Sequence, residues 1–145
     1  MDKILFSSKS DHWRTPKEIY NFFIDEGFFD PCPYNSDFDG LSIEWKEANF
    51  VNPPYSKIKK WVLKAIEENK KGKLVVLLIP ARTDTQYFRQ LVNYGVDILF
   101  ITGRLSFNDL GTAPFPSCLI DLKGNYITNS VWIDKNDLFK DGVKE

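Results

Sequence analysis

The sequence predicts a doubly wound α/β domain whose mostly parallel sheet is closed by an antiparallel C-terminal hairpin. Short apolar runs of strand length alternate along the chain with longer stretches that have the apolar period of a helix. The run Leu74–Ile79 is apolar at every position, which is typical of a parallel strand covered on both faces. Near the C-terminus, Ser117–Leu122 and Tyr126–Ile133 flank Lys123-Gly124-Asn125, the pattern of a hairpin.

Length and composition favour one folded domain. The 145 residues suit a single domain over 1–145, with a short N-terminal arm at 1–10 and a charged tail from about 134 to 145 that we expect to fray. A net charge of −1 gives no global sign of nucleic-acid binding. The residues Cys32, Cys118 and His12 are too few and too scattered for a disulfide framework or a zinc site, so we expect no metal.

No segment has the pattern of a membrane anchor or a secretion signal. The longest apolar run, Leu74–Ile79, is far shorter than the ~20 residues that span a bilayer. The opening residues Met1-Asp2-Lys3-Ile4 do not begin a signal peptide. We therefore expect a cytoplasmic protein with reduced thiols and no membrane partner.

The first predicted helix has marked boundaries. Thr15, Pro16 and Glu18 form a capping box with proline at the first helical position, and Gly27 is placed to end the helix. Its apolar stripe consists of Ile19, Phe22 and Phe23. Trp13 lies just before this helix and either packs on its first turn or stacks on a ligand.

The next segment, Phe28–Pro31, has the pattern of a short buried strand that stops at an acidic residue, Asp30. In an open α/β sheet, ligands bind beyond the carboxyl ends of the strands, so Asp30 is well placed to contact one. In the irregular segment that follows, Asp39 either accepts hydrogen bonds from a ribose diol or an ammonium group, or bonds its own turn. For Asp37 the role in a turn is favoured.

The segment Asn52-Pro53-Pro54-Tyr55 is the strongest candidate for a binding site. Successive prolines fix their φ angles at about −65° and hold Asn52 extended, which makes a rigid ledge after the strand Ala48–Val51. A planar nitrogenous group lying against Tyr55 would donate its N–H bonds to the Asn52 side-chain oxygen and the Pro53 carbonyl. These contacts suit a nucleobase amine. The alternative is a proline-rich turn in which Ser56 caps the following helix.

The helix predicted after this ledge has one apolar face and one basic face. The apolar face carries Ile58, Trp61, Val62, Ala65 and Ile66 at helical spacing. From 57 to 73 there are seven lysines against two acidic residues. The basic face is either a solvated face or a surface for phosphate groups, with Lys57, Lys60 and Lys64 as the candidate contacts.

Two further strands also end in polar residues. Leu74–Ile79 is followed by Arg82, which either contacts a phosphate or braces its own loop. Asp84 is then placed to cap the next helix. After the predicted strand Val96–Ile101, the segment Gly103–Phe107, which contains Arg104, leads into a loop.

From about residue 11 to residue 122 the chain closely resembles the phage-type DNA adenine-N6 methyltransferases. Asn52-Pro53-Pro54-Tyr55 is similar to the catalytic Asp/Asn-Pro-Pro-Tyr motif of amino methyltransferases. Asp30-Pro31-Cys32 resembles the segment that ends their cofactor strand. Further stretches that resemble the family are Trp13-x-Thr15-Pro16, Asp39-Gly40-Leu41 with Trp45, Leu78–Thr85 and Gly103-Arg104-Leu105-x-Phe107.

The resemblance implies a class I methyltransferase-like fold with S-adenosylmethionine as the methyl donor. The cofactor contacts that it implies are Trp13, Thr15, Pro16, Asp30, Pro31 and Asp39. The basic residues that would then contact DNA are Lys57, Lys60, Lys64, Arg82 and Arg104. Pro33-Tyr34 stand where many methyltransferases have a Gly-x-Gly loop, and the chain has no room for a separate target-recognition domain. Sequence readout would then fall to the loop at 108–116 or to a second subunit.

The implied reaction is direct methyl transfer to the exocyclic amine of adenine. Asn52 and Pro53 would accept hydrogen bonds from that amine and favour the tetrahedral geometry in which its lone pair is free. Tyr55 would stack on a base flipped out of the duplex.

The same ledge also suits an RNA base or a glutamine side chain, and an inactive nucleic-acid-binding module is a third hypothesis. If phage-encoded, the protein would act on DNA in the host cytoplasm.

Overall fold

The computed structural model describes residues 14–107, 111–124, 127 and 130–139, which form an α/β fold. The helices are α1 (Lys17–Asp25), α2 (Ile58–Lys70) and α3 (Gln86–Tyr94). The strands are β1 (Ala48–Val51), β2 (Leu74–Pro80), β3 (Asp97–Thr102), β4 (Ser106–Phe107), β5 (Gly111–Thr112), β6 (Ser117–Asp121) and β7 (Val131–Asp134). Short 3₁₀ turns occur at Tyr55–Lys57 and Lys135–Asp137.

The main sheet has five strands in the order β1-β2-β6-β3-β7. β1 pairs with β2 and β3 pairs with β7 in parallel, whereas β6 is antiparallel to both of its neighbours. On the outer side of β1, Phe29 forms an isolated parallel bridge with Asn49 of that strand. β1, β2, β3 and β7 therefore point the same way, and their carboxyl ends lie along one edge of the sheet. β4 and β5 form a separate two-stranded sheet.

The predicted C-terminal hairpin is not formed, so that part of the predicted fold is wrong. β6 lies between β2 and β3, and β7 pairs with β3 through partners such as Leu99 and Val131. The physical reason is burial, because all five residues of β6 are buried and a strand of this kind needs neighbours on both edges. Tyr126, the first residue of the predicted second strand, lies outside the described residues.

Helices cover both faces of the main sheet. α1 packs on one face with Ile19 and Phe23, and the Phe23 ring stacks on Phe50 of β1 with 4.5 Å between centroids. α2 and α3 pack on the opposite face. Residues of β2 alternate between the two layers, with Val76 and Leu78 on the α1 side and Val75, Leu77 and Ile79 on the other.

The described part of the C-terminal tail is packed up to residue 139, beyond the boundary near 134 at which fraying was expected. The Phe139 ring stacks on Phe22 of α1 with 4.3 Å between centroids. Leu138 joins the same apolar layer. The arm at 1–10 and residues 140–145 lie outside the described residues.

The lysine-rich helix α2 carries a buried carboxylate near its C-terminus. The Glu68 side chain is fully buried and forms ion pairs with Lys64, Lys71 and Lys73 at 2.9, 3.4 and 2.7 Å. Burial by itself raises the pKa of Glu68, but hydrogen bonds from Lys73, Lys64 and the Trp45 backbone N–H outweigh it and lower the pKa to about 2. Part of the positive charge on this helix is therefore neutralised inside the protein.

Glu68→Ala should lower the free energy of unfolding by about 3–5 kcal/mol, because the change leaves the largely buried ammonium groups of Lys64 and Lys73 without their counter-ion. Urea unfolding of the two proteins measures the difference. The exposed neighbour provides the control, and Glu67→Ala should stay within about 0.5 kcal/mol of the unchanged protein. Equal effects of the two substitutions would contradict a structural role for the Glu68 carboxylate.

Candidate active site

Polar residues from three separate segments lie along the carboxyl edge of the sheet. Asp30 follows the bridge at Phe29, Asn52 follows β1, and Arg82 comes two residues after the end of β2. Phe29, β1 and β2 are neighbours in that order, so the three side chains lie along one edge in the same order. This edge is where open α/β sheets bind ligands. The fold therefore places Asp30, Asn52 and Arg82 along the same edge of the sheet.

Asn52 is buried, with 3% of its surface exposed. Its Nδ2 amide donates a hydrogen bond to the Thr15 hydroxyl oxygen at 3.1 Å. The predicted helix start is wrong, because Pro16 and not Thr15 occupies the cap position of α1, and the helix begins at Lys17. The Thr15 hydroxyl accepts a tertiary hydrogen bond from the end of β1. This contact joins the segment before α1 to the ledge.

The ledge has the backbone that its prolines predict. Pro54 is extended, with φ −66° and ψ 139°, and the chain then enters the 3₁₀ turn that begins at Tyr55. Lys57 stands at the cap position of α2, whereas Ser56, the predicted cap, lies inside the 3₁₀ turn. The half-buried ring of Tyr55 is the first side chain beyond the rigid backbone.

Phe115 packs against the ledge and was missed by the sequence reasoning. Its ring meets that of Tyr55 edge to face, with 5.1 Å between centroids and an interplanar angle of 87°. Phe115 is buried, although it comes from the loop before β6. The sequence feature that could have indicated Phe115 is its position between Pro114 and Pro116, because the two prolines restrict the backbone on both sides of the ring.

Arg82 braces the same aromatic pair from the end of β2. Its guanidinium group lies over the Phe115 ring, 5.7 Å from the centroid, and the residue remains exposed. The Ala81 N–H donates to the Pro116 carbonyl at 2.9 Å, which ties the two loops together. The next helix is capped by Thr85, which accepts a hydrogen bond from the Phe88 N–H, and not by Asp84 as predicted. The contact with Phe115 joins Arg82 to the loop before β6.

Asp30 is a partly desolvated carboxylate. Burial raises the pKa of Asp30 to about 6, although a hydrogen bond from the Cys32 N–H at 2.8 Å opposes the increase. The Asp30 carboxylate is also close enough to Tyr20 of α1 to raise the pKa of its phenol, after the larger effect of burial. A carboxylate in this environment is suited to a ligand that donates hydrogen bonds or carries positive charge.

In the loop after Asp30, Gly40 packs closely against the backbone of Pro31. A Cβ atom at Gly40 would lie 1.9 Å from the carbonyl oxygen of the buried Pro31 and 2.7 Å from the Trp61 ring. The Trp45 indole N–H donates to the Gly40 carbonyl at 2.8 Å. Only glycine fits between these groups, and the packing brings the Asp39 turn against the Asp30 loop.

Asp39 is exposed and bonds its own turn. One carboxylate oxygen accepts from the Leu41 N–H at 3.0 Å and the other accepts from the Ser42 hydroxyl at 2.8 Å. The Ser42 hydroxyl and then the Leu41 N–H lower the pKa of Asp39. These bonds correspond to the turn role, one of the two roles that the sequence left open for Asp39.

The predicted basic contacts separate into two groups. Lys57 and Lys60 are exposed, and Arg104 is exposed at the same edge of the sheet beyond β3. Lys64 is instead paired with buried Glu68 at 2.9 Å, one helical turn away, with its ammonium group over the Trp45 ring. The structure therefore gives Lys64 an internal partner. Trp13, a predicted cofactor contact, lies outside the described residues.

Among the residues that the structure describes, no group of His, Cys, Asp and Glu side chains is arranged so that it could hold a metal ion. Among the same residues, none of the helices combines the length and the apolar character that a membrane crossing requires.

Comparison with known proteins gives one family match. The family model described as DNA N-6-adenine-methyltransferase (Dam) matches residues 4–120. The matched range contains Asp30, Asn52, Arg82 and Phe115, together with the elements that position them. No curated protein and no solved structure gives a significant match.

Gly40→Ala should destabilise the protein by about 1–3 kcal/mol, because the added methyl group forces the Pro31 carbonyl or the Trp61 ring to move. The free energy of unfolding in urea measures this effect. Asp37→Ala is a control in the same loop, where an exposed side chain is removed and a change within about 0.5 kcal/mol is expected. If Gly40→Ala were as stable as the control, the close packing of the loop against Pro31 would be wrong.

Proposed function

Since the chain belongs to the DNA N-6-adenine-methyltransferase (Dam) family and is a DNA adenine methyltransferase, we propose that residues 52–55 hold the target adenine. The observation that carries this proposal is the position of Asn52, which is buried on a rigid backbone at the carboxyl edge of the sheet. The family match favours adenine in DNA over the RNA base or glutamine side chain that the ledge alone would also suit.

The methyl donor belongs on the Asp30 side of the ledge. Enzymes of this family generally depend on S-adenosylmethionine, which supplies an electrophilic methyl group when bound. The chemistry of the Asp30 carboxylate fits a ligand that offers an ammonium group and ribose hydroxyls. The resemblance adds Trp13, Pro16 and Pro31 to the proposed cofactor contacts, and Pro31 is the residue directly after Asp30. Asp39 contributes its turn, since its carboxylate oxygens are already engaged.

The ledge prepares the adenine amine for transfer. Hydrogen bonds from the amine to the Asn52 oxygen and the Pro53 carbonyl favour a tetrahedral nitrogen, whose lone pair is then available to form the new N–C bond. The reacting amine loses one proton in the process. Asn52 is an amide and acts as a hydrogen-bond acceptor, not as a base.

Tyr55 and Phe115 form the aromatic wall for a base that has left the duplex. Flipping a base costs a few kcal/mol, and stacking on an aromatic ring returns about 1–3 kcal/mol. The edge-to-face contact with Phe115 fixes the plane of the Tyr55 ring. Lys57, Lys60, Arg82 and Arg104 are the proposed contacts to DNA phosphates around this wall, and Lys64 is set aside because it pairs with Glu68.

Asn52→Ala should lower kcat by about 100-fold to 1000-fold with the fold intact, the effect of removing one oriented partner of a transition state. Tyr55→Ala should instead raise the KM for DNA by about 5-fold to 150-fold, the equivalent of a lost stacking contact. Transfer of tritiated methyl groups to unmethylated DNA measures both. Ser56→Ala is the control beside the ledge, with little expected change. An equal loss of S-adenosylmethionine affinity in both variants, measured by calorimetry, would contradict the assignment of the ledge to the base.

The affinity for S-adenosylmethionine should rise with pH through about 6, where Asp30 becomes ionised in the free protein. The ionised form binds the cationic ligand better, so the affinity should fall about tenfold for each pH unit well below the pKa of Asp30. Calorimetric titrations between about pH 5 and pH 8 measure this dependence. Asp30→Asn should bind more weakly with a flat pH profile. A wild-type profile as flat as that of Asp30→Asn would remove Asp30 from the cofactor site.

A further inference from the structure

We propose that a cavity near the ledge reads the base next to the target adenine in DNA. The cavity has a volume of about 340 Å³ and lies between the first turn of α1, the segment after β3 and the turn after β7. The inference rests on the proposed function, in which residues 52–55 hold the target base. It adds a second contact to DNA, through which methylation depends on the neighbouring sequence.

The cavity lies at the same edge of the sheet as the ledge. β1, β3 and β7 run in the same direction, and the cavity residues Ser106 and Asn136 come after the ends of β3 and β7. Pro16 forms another part of the wall. It directly follows Thr15, whose hydroxyl oxygen is 3.1 Å from Asn52 Nδ2. A wall of the cavity is therefore continuous with the segment that contacts the ledge, on the side where a nucleotide adjoining the target base would lie.

The lining of the cavity suits a nucleobase, which has apolar faces and a polar edge. Ile19, Leu138 and Phe139 supply apolar surface for the faces. The exposed side chains of Glu18 and Asn136 supply hydrogen-bonding groups for the edge. The volume lies within the range of about 300–1,000 Å³ that is typical of sites for small ligands. The cavity is therefore large enough for one base.

Glu18 and Asn136 give the cavity a preference among the four bases. On the major-groove edge, adenine and cytosine present an amine, whereas guanine and thymine present a carbonyl oxygen. The Glu18 carboxylate only accepts hydrogen bonds, so it favours the two bases with an amine. The Asn136 amide pairs with the amine and the ring nitrogen of adenine at the same time. We therefore expect adenine to be preferred at the neighbouring position, with cytosine second.

The wall after β7 is held in place at both ends. The Lys135 stem packs on Gly103, where a Cβ atom would lie 3.1 Å from Lys135 Cδ, and its ammonium group donates to the Arg104 carbonyl at 3.1 Å. At the other end, the Phe139 ring stacks on Phe22 with 4.3 Å between centroids. Phe139 has a φ of 64°, a conformation that a bulky residue keeps only where its surroundings enforce it. The residues between these anchors are therefore presented on a firm backbone.

The same wall lies outside the range matched by the family model. The match covers residues 4–120 and includes the ledge, whereas the 3₁₀ turn Lys135–Asp137 and Phe139 come later in the chain. The cavity thus joins a segment beyond the matched range to an edge that carries the catalytic ledge. Such a wall is suited to setting which sequence this member of the family methylates.

The test is a competition for methyl transfer among DNA duplexes that differ only in the bases around one target adenine, mixed in one reaction. Sequencing that maps the modified bases gives a preference ratio, which does not depend on how much of a variant is folded. Asn136→Ala should lower the preference for adenine over thymine at one neighbouring position by about 5-fold to 150-fold. Glu18→Ala should lower it about tenfold at the same position.

The matched controls are Asn93→Ala and Glu67→Ala, two exposed residues of α3 and α2 on the opposite face of the sheet. Both should keep the preference of the wild type.

An unchanged preference in both cavity variants would overturn the proposal and assign sequence readout to the loop at 108–116 or to a second subunit. A change at every neighbouring position at once would also contradict it, because that result indicates a general loss of DNA contact. The proposal is equally wrong if the wild type methylates adenine regardless of its neighbours. If the wild type methylates none of the duplexes, it is the proposed function that fails.

Discussion

Burial of β2 and β6 on both faces of the sheet is the constraint on which the rest of the structure depends. Every residue of β6 is buried, and β2 is buried from Val75 to Pro80. Strands of this kind must lie inside the sheet with helices on both sides. β2 therefore pairs with β1 on one side and with β6 on the other. The parallel pairing with β1 brings the chain out at Asn52 and at Arg82 on the same edge, where the site is built.

The site also depends on rigid supports that come from distant parts of the chain. Prolines hold the backbone of the ledge, and the hydroxyl of Thr15 holds its amide. The Phe115 ring packs edge to face against the Tyr55 ring, and the Arg82 guanidinium lies over Phe115. Groups held this firmly lose little conformational entropy when a ligand binds, which favours a reaction that depends on the orientation of one amine.

Two carboxylates in this protein have pKa values shifted in opposite directions, and their surroundings explain the difference. Burial raises the pKa of Asp30, and a single backbone N–H is too weak to reverse it. Glu68 is also buried, but hydrogen bonds from its lysine partners lower the pKa. The first carboxylate is suited to binding a ligand, and the second stabilises the fold. The same ion pairs divide the basic face of α2 into lysines with a structural partner and exposed lysines that face solvent.

Local sequence determined the three helices, the central strands β1, β2, β3 and β6, and the position of the ledge, because these follow from apolar period and from the restricted backbone of proline. It also placed Asp30, Asn52 and Arg82 at strand ends, and the resemblance carried by these segments identified the family. Only the tertiary structure decided which groups touch. The insertion of β6 between β2 and β3, the bond from Asn52 to Thr15 and the contact of Tyr55 with Phe115 all join residues far apart in the chain. The spacing of apolar residues within one segment carries no information about such partners, because they depend on how whole helices and strands pack together.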